Sequence, residues 1–139
     1  MSASYQVYKD HNLLYVRYAG HHATRQTNDL LPYYRLDPDV RPGLRCVIDC
    51  TRLINAKVDI EERRKQMAAL RALLKHPADD WQLTYYCPNS VSQSLTSLQQ
   101  KMWREFDGVD FKMATTFEEL ASILREPDDF LRAMLGPDD

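Results

Sequence analysis

The run Leu44-Arg45-Cys46-Val47-Ile48-Asp49-Cys50 constrains this chain more than any other segment. It is short, almost continuously apolar, and preceded by the turn sequence Arg41-Pro42-Gly43, which is the pattern of a strand buried on both faces. It is the best candidate for the middle of a sheet, and the remaining elements are read around it.

Upstream, Tyr5-Gln6-Val7-Tyr8-Lys9 alternates, Asp10-His11-Asn12 has turn composition, and Leu13 to Ala19 is rich in β-branched and aromatic residues, so the opening is a β-hairpin. On its second strand Leu14, Val16 and Tyr18 point one way and Leu13, Tyr15 and Arg17 the other. Neither face is purely polar, so both are expected to be covered, by the chain's own helices or, on one face, by a partner subunit. After Gly20, Thr24 can cap a helix carrying Leu30, Leu31, Tyr34 and Leu36, in which Pro32 predicts a kink or a late start.

Downstream, Asp59 with Glu62 reads as a capping box, and Met67, Leu70, Leu73 and Leu74 form a helical apolar stripe that ends before Pro77. The charges Glu61-Glu62 and Arg63-Arg64-Lys65 at its start read as a solvated face. Trp81 to Cys87 alternates as a strand. Ser90 and Gln93 open a helix with Leu95, Leu98, Met102 and Phe106 on one face. Phe111-Lys112-Met113 is a last strand, and Thr116 with Glu119 caps a helix that Pro127 stops. Phe130 to Leu135 is a short amphipathic turn or helix packing back on the body, with Pro137-Asp138-Asp139 frayed.

The resulting order, β-β-α-β-α-β-α-β-α, is an α/β fold with a mixed sheet of about five strands and four helices, and residues 1–139 form one domain. The 139 residues, 44% hydrophobic and 27% charged, suffice for a core without disulfides or metal. The 18 basic and 20 acidic residues are spread along the chain, which disfavours nucleic acid as a partner. No apolar stretch is long enough for a membrane span, no signal peptide is visible at the N-terminus, and three cysteines fit a reducing compartment, so a cytoplasmic location is expected. Cys46 and Cys50 share a face of one strand roughly 13 Å apart, too far to pair or to share a metal there, and all three cysteines read as buried hydrophobes.

Catalytic signatures are missing. The four glycines are too scattered for a P-loop or dinucleotide fingerprint, and Gly-x-Ser-x-Gly, His-Glu-x-x-His and Cys-x-x-Cys are absent. His21 and His22 after the hairpin, with Asp49 at the carboxyl end of the central strand, are the candidates for an acid/base or metal site. The simpler readings are histidines facing solvent and an Asp49 that satisfies loop N–H groups. No catalytic, cofactor or metal residue is assigned on this basis. Eight tyrosines can line an apolar cavity or anchor an interface, although ordinary packing accounts for any one of them.

The element order, with Leu14-Tyr15-Val16-Arg17-Tyr18-Ala19-Gly20 and Arg41-Pro42-Gly43-Leu44-Arg45-Cys46-Val47-Ile48-Asp49, resembles the STAS, or SpoIIAA-like, superfamily over nearly the whole chain. Signalling members of that superfamily are anti-sigma-factor antagonists with a phosphorylatable Ser at the start of the helix after this strand. Here that region reads Lys57-Val58-Asp59-Ile60 and offers no hydroxyl, and Thr51, the nearest, is a poor substitute. The resemblance therefore implies a divergent, non-enzymatic branch. It implies either a protein-interaction module in a bacterial regulatory pathway, expected to be a homodimer burying part of its tyrosine-rich surface, or a binder of a small nonpolar, lipid-like molecule between sheet and helices. In either case the functional loops would involve His22, Asp49, Thr51 and Asp59.

Overall fold

A computed structural model describes residues 2–137. The strands are β1 (Ala3–Tyr8), β2 (Leu13–Ala23), β3 (Arg45–Lys57), β4 (Trp81–Tyr86) and β5 (Val109–Ala114). The helices are α1 (Leu31–Leu36), α2 (Ile60–Leu74), α3 (Ser90–Trp103), α4 (Phe117–Leu124) and α5 (Asp128–Leu135), with 3-10 turns at Lys9–His11 and Thr24–Asp29. The fold is α/β, as expected. The last segment is a full helix of its own, so five helices rather than four are present among the described residues, and none of them is long and apolar enough to cross a membrane.

The sheet order is β1-β2-β3-β4-β5, antiparallel between β1 and β2 and parallel thereafter. β3 is the central strand the sequence pointed to. Because each parallel strand is laid beside the one before it in the same direction, crossovers of one hand deposit their helices on one face. That face carries Leu14, Val16, Cys46, Ile48, Cys50 and Leu83, which pack with α1, α2 and α3 residues such as Tyr34, Met67 and Trp103.

The opposite face, with Leu13, Tyr15, Val47 and Ala114, receives Leu120 and Leu124 of α4 and Leu131 and Met134 of α5. The second layer is thus supplied by the chain itself and not by a partner subunit. Arginines fasten it at both ends. Arg45 Nη1 donates to the Leu124 carbonyl at 2.7 Å and Nη2 pairs with Glu126 Oε1 at 2.8 Å, while Arg17 and Arg52 donate to the Leu135 carbonyl at 2.9 and 2.8 Å. Cations at these helix C-termini satisfy carbonyls that have no partner within the helix.

Several local expectations change in detail. Pro32 sits in the first turn of α1, so the helix starts late, after the 3-10 segment that holds Thr24. Asp59 caps α2 by accepting from the Glu62 N–H at 3.1 Å, but Glu62 turns away to accept from Asn28 Nδ2, so the box is half formed. Helix α3 is capped by Asn89 with Ser92, not by Ser90 with Gln93. Pro137 is tied down, its carbonyl accepting from Arg52 Nη2 at 2.9 Å, whereas Asp138 and Asp139 lie outside the described residues. The three cysteines are free and buried, and Tyr15, Tyr18, Tyr34 and Tyr85 are consumed by the chain's own cores.

Truncating α5 tests the role of this layer. Leu131 is fully buried, so Leu131→Ala is expected to lower unfolding stability by about 2–5 kcal/mol in urea titrations. Exposed Leu36→Ala should stay within about 0.5 kcal/mol of wild type.

Candidate functional site

Strand β3 does not end at Cys50 as its composition suggested. It runs on with β2 to Lys57, past the end of β4, and its pairing slips twice on the way. Arg17 pairs with Asp49 but Ala19 with Arg52, and Gly20 pairs with Leu53 but His21 with Asn55, so β3 takes an extra residue at each slip. A regular strand would send Cys50 and Leu53 to opposite faces, and likewise Leu53 and Ala56. The extra residues undo the alternation, so that Cys50, Leu53 and Ala56 all face α2 and α3. This irregularity also hid the extension, because Thr51 to Lys57 carries no period-two pattern.

Between this extended ribbon, the Thr24–Asp29 turn, α2 and α3 lies a half-open pocket of about 50 Å³. Its walls are mostly apolar: Ile48, Cys50, Leu53 and Ala56 from β3 and Leu95 from α3. Its polar groups come from two sides.

On the first side His22, buried, bonds Thr27 Oγ1 through Nε2 at 3.0 Å and Ser2 Oγ through Nδ1 at 2.8 Å, and its ring meets Tyr18 edge-on. Burial, reinforced by the Arg63 charge, lowers its pKa to about 4, so the imidazole is neutral at pH 7. Neighbouring His21 is exposed and bonds Asn55 Oδ1.

On the second side stands Arg63, only 7% exposed. Its Nε donates to Gln99 Oε1 at 2.9 Å, Nη1 to Gln66 Oε1 at 3.1 Å and Nη2 to the Tyr85 hydroxyl at 3.3 Å. Gln66 in turn donates to the Thr24 carbonyl and to Asn28 Oδ1, and Trp103 Nε1 donates to Tyr85. Every acceptor around the guanidinium is neutral, and among the described residues no carboxylate pairs with it. A buried charge without a counter-ion is costly, by several kcal/mol even after relaxation. Thr96, one helical turn from Gln99, has a buried hydroxyl whose neighbours are the Cys50 and Cys87 thiols, and sulfur is only a weak acceptor for it. Burial pushes Cys50 up to about 12, so it is a thiol and not a nucleophilic thiolate at neutral pH.

The sequence read Arg63 as part of a solvated face, which the structure corrects. The signal was available: Arg63 lies four residues before Met67 and seven before Leu70, so the apolar stripe of α2 extends back through it.

The other sequence candidates do not assemble with the pocket. Asp49 is buried on the opposite face of the sheet, where it accepts from the Tyr15 hydroxyl, from Thr51 N–H at 2.9 Å and Oγ1 at 2.6 Å, and from Arg52 at 3.3 Å. With Arg17 bonded to Tyr15, this network orients the two arginines that hold the end of α5. His22 and Asp49 therefore do not converge. Thr51 belongs to the Asp49 network within the strand, not to a loop. Asp59 lies at the pocket's rim, its N–H donating to Thr24 Oγ1 at 2.9 Å. No group of three His, Cys, Asp or Glu side chains among the described residues is placed to hold a metal ion. No protein-family model matches the chain, and no curated protein matches it.

Neutral burial of His22 has a consequence for stability. Above pH 6.5 the ring is neutral folded or unfolded; as pH falls toward 4 the unfolded chain takes up a proton that the folded one refuses, so stability drops across that window and levels off below it. His22→Gln removes this dependence. Between pH 7 and pH 5 the variant is expected to lose about 1 kcal/mol less than wild type in parallel denaturation curves, after allowance for solvent screening.

Proposed function

We propose that this protein is a non-enzymatic, STAS-like regulatory module that binds a small, largely nonpolar molecule in the pocket between the β2–β3 extension and helices α2 and α3. The observation that carries this reading is the apolar-walled pocket itself, in which two register slips put Leu53 and Ala56 on the same side as Ile48 and Cys50. Concave sites with apolar walls and a few convergent polar groups are the usual form of small-molecule sites. The separation of His22 from Asp49 and the protonated Cys50 thiol favour binding over chemistry. The start of α2, without a hydroxyl at Asp59-Ile60, favours control by a ligand over control by phosphorylation.

Native mass spectrometry of protein purified without added ligand tests the reading. Retained extra mass is expected in wild type and is expected to vanish in Ala56→Trp, whose indole fills the pocket. Absence of retained mass, together with no thermal stabilisation by small apolar compounds, removes the proposal.

A protein-interaction role is the second reading, favoured by Tyr33 and Leu36, three residues apart on α1 and 62% and 83% exposed. A second copy docking there would appear as a dimer in the same spectra, and Leu36→Glu should return it to monomer. A monomer at all concentrations rules out self-association.

A further inference from the structure

We infer that the pocket is built for the carboxylate of a small monocarboxylic acid, with Arg63 as the group that receives it and the apolar walls as the site for the acid's hydrocarbon part. This rests on the reading of the pocket as a ligand site and adds the ligand's chemical class.

The argument begins with unsatisfied donors. A guanidinium has five N–H groups in a planar fork and no acceptor. Three of those of Arg63 are used, on Gln99, Gln66 and Tyr85, which leaves two without an acceptor among the described residues. The Thr96 hydroxyl, which lines the same pocket, has only the weakly accepting Cys50 and Cys87 thiols beside it among the described residues. What the wall lacks is an acceptor carrying negative charge. A carboxylate is acceptor-only, takes two N–H groups from one arginine, and gains strength from the charge.

The charge balance selects the class further. Among the described residues Arg63 is the only charged side chain in the lining, and His22 is neutral at pH 7. One buried cation matches a monoanion, whereas a phosphate group brings about 1.5–2 negative charges and would leave part of them unpaired. The remaining walls, Ile48, Leu53 and Leu95 among them, offer contact to carbon and not to further polar groups. At about 50 Å³ the enclosed part has room for a few atoms only, and because the pocket is half open a longer chain can leave through its mouth.

The test is isothermal titration of the full chain at pH 7 with hexanoate, 1-hexanol and inorganic phosphate. Hexanoate is expected to bind at least tenfold more tightly than 1-hexanol, and phosphate more weakly than hexanoate. Arg63→Gln should bring the acid-to-alcohol ratio close to one, and Ala56→Trp should weaken both. Since Arg63 also organises Gln66, Gln99 and Tyr85, the wild-type ratio is the primary readout and depends on no variant. Equal or tighter binding of 1-hexanol overturns the carboxylate assignment while leaving the pocket reading in place. Phosphate binding as tight as hexanoate also overturns it. If neither the acid nor the alcohol binds, the pocket reading falls and this inference with it.

Discussion

The parallel part of the sheet is laid down strand by strand in one direction, and the rest of the structure follows from that constraint. Crossovers of one hand then place α1, α2 and α3 on a single face. A central strand such as β3, apolar on both faces, cannot leave its other face to water. Only the chain after β5 is free to cover it, and α4 and α5 do so, clamped by Arg45 at one end and by Arg17 and Arg52 at the other. Asp49, read from the sequence as satisfying nearby backbone N–H groups rather than as a catalytic carboxylate, does so at Thr51 and belongs to that clamp. Its carboxyl group orients Arg52 and the Tyr15 hydroxyl, which in turn accepts from Arg17.

The same central strand makes the pocket. Its first half keeps strict alternation and serves both cores. Its second half outruns β4, loses a neighbour on that side, and admits two extra residues against β2. Irregular pairing of this kind is tolerated at the margin of a sheet, where it re-aims side chains without breaking the core. The pocket thus sits where the sheet has stopped being regular, with α2 and α3 forming its roof.

Arg63 is the most demanding group in this arrangement. Its fork is held by two glutamine oxygens and a tyrosine hydroxyl, and these are held by Thr24, Asn28 and Trp103. The groups that touch the guanidinium are neutral, and the network reaches a carboxylate, Glu62, only through Gln66 and Asn28, so it fixes the geometry of the cation without pairing its charge directly. Geometry and residual charge together are what the proposed anion site would use.

Much of the fold was legible in the chain. The hairpin, the central strand, the caps at Asp59 and Thr116 and the late start of α1 at Pro32 all rest on short-range effects: side-chain alternation, helical spacing, and the few residues able to satisfy a helix end. The far half of β3 was not legible, because paired slips leave no period in the sequence. Nor was Arg63, since a charge within Glu-Glu-Arg-Arg-Lys reads as solvated until the helix phase is fixed by what packs against it. His22 and Asp49 looked like partners because each follows or ends a strand, but which face of the sheet each meets depends on register. The sequence by itself determined the elements and their order, which are set by local propensity and periodicity. The tertiary structure alone decided that Asp49 serves the arginines that hold α5, that His22 is buried and neutral, and that Arg63 stands beside a pocket with no carboxylate against it among the described residues, because burial and pairing are properties of the packed layers and not of any one segment.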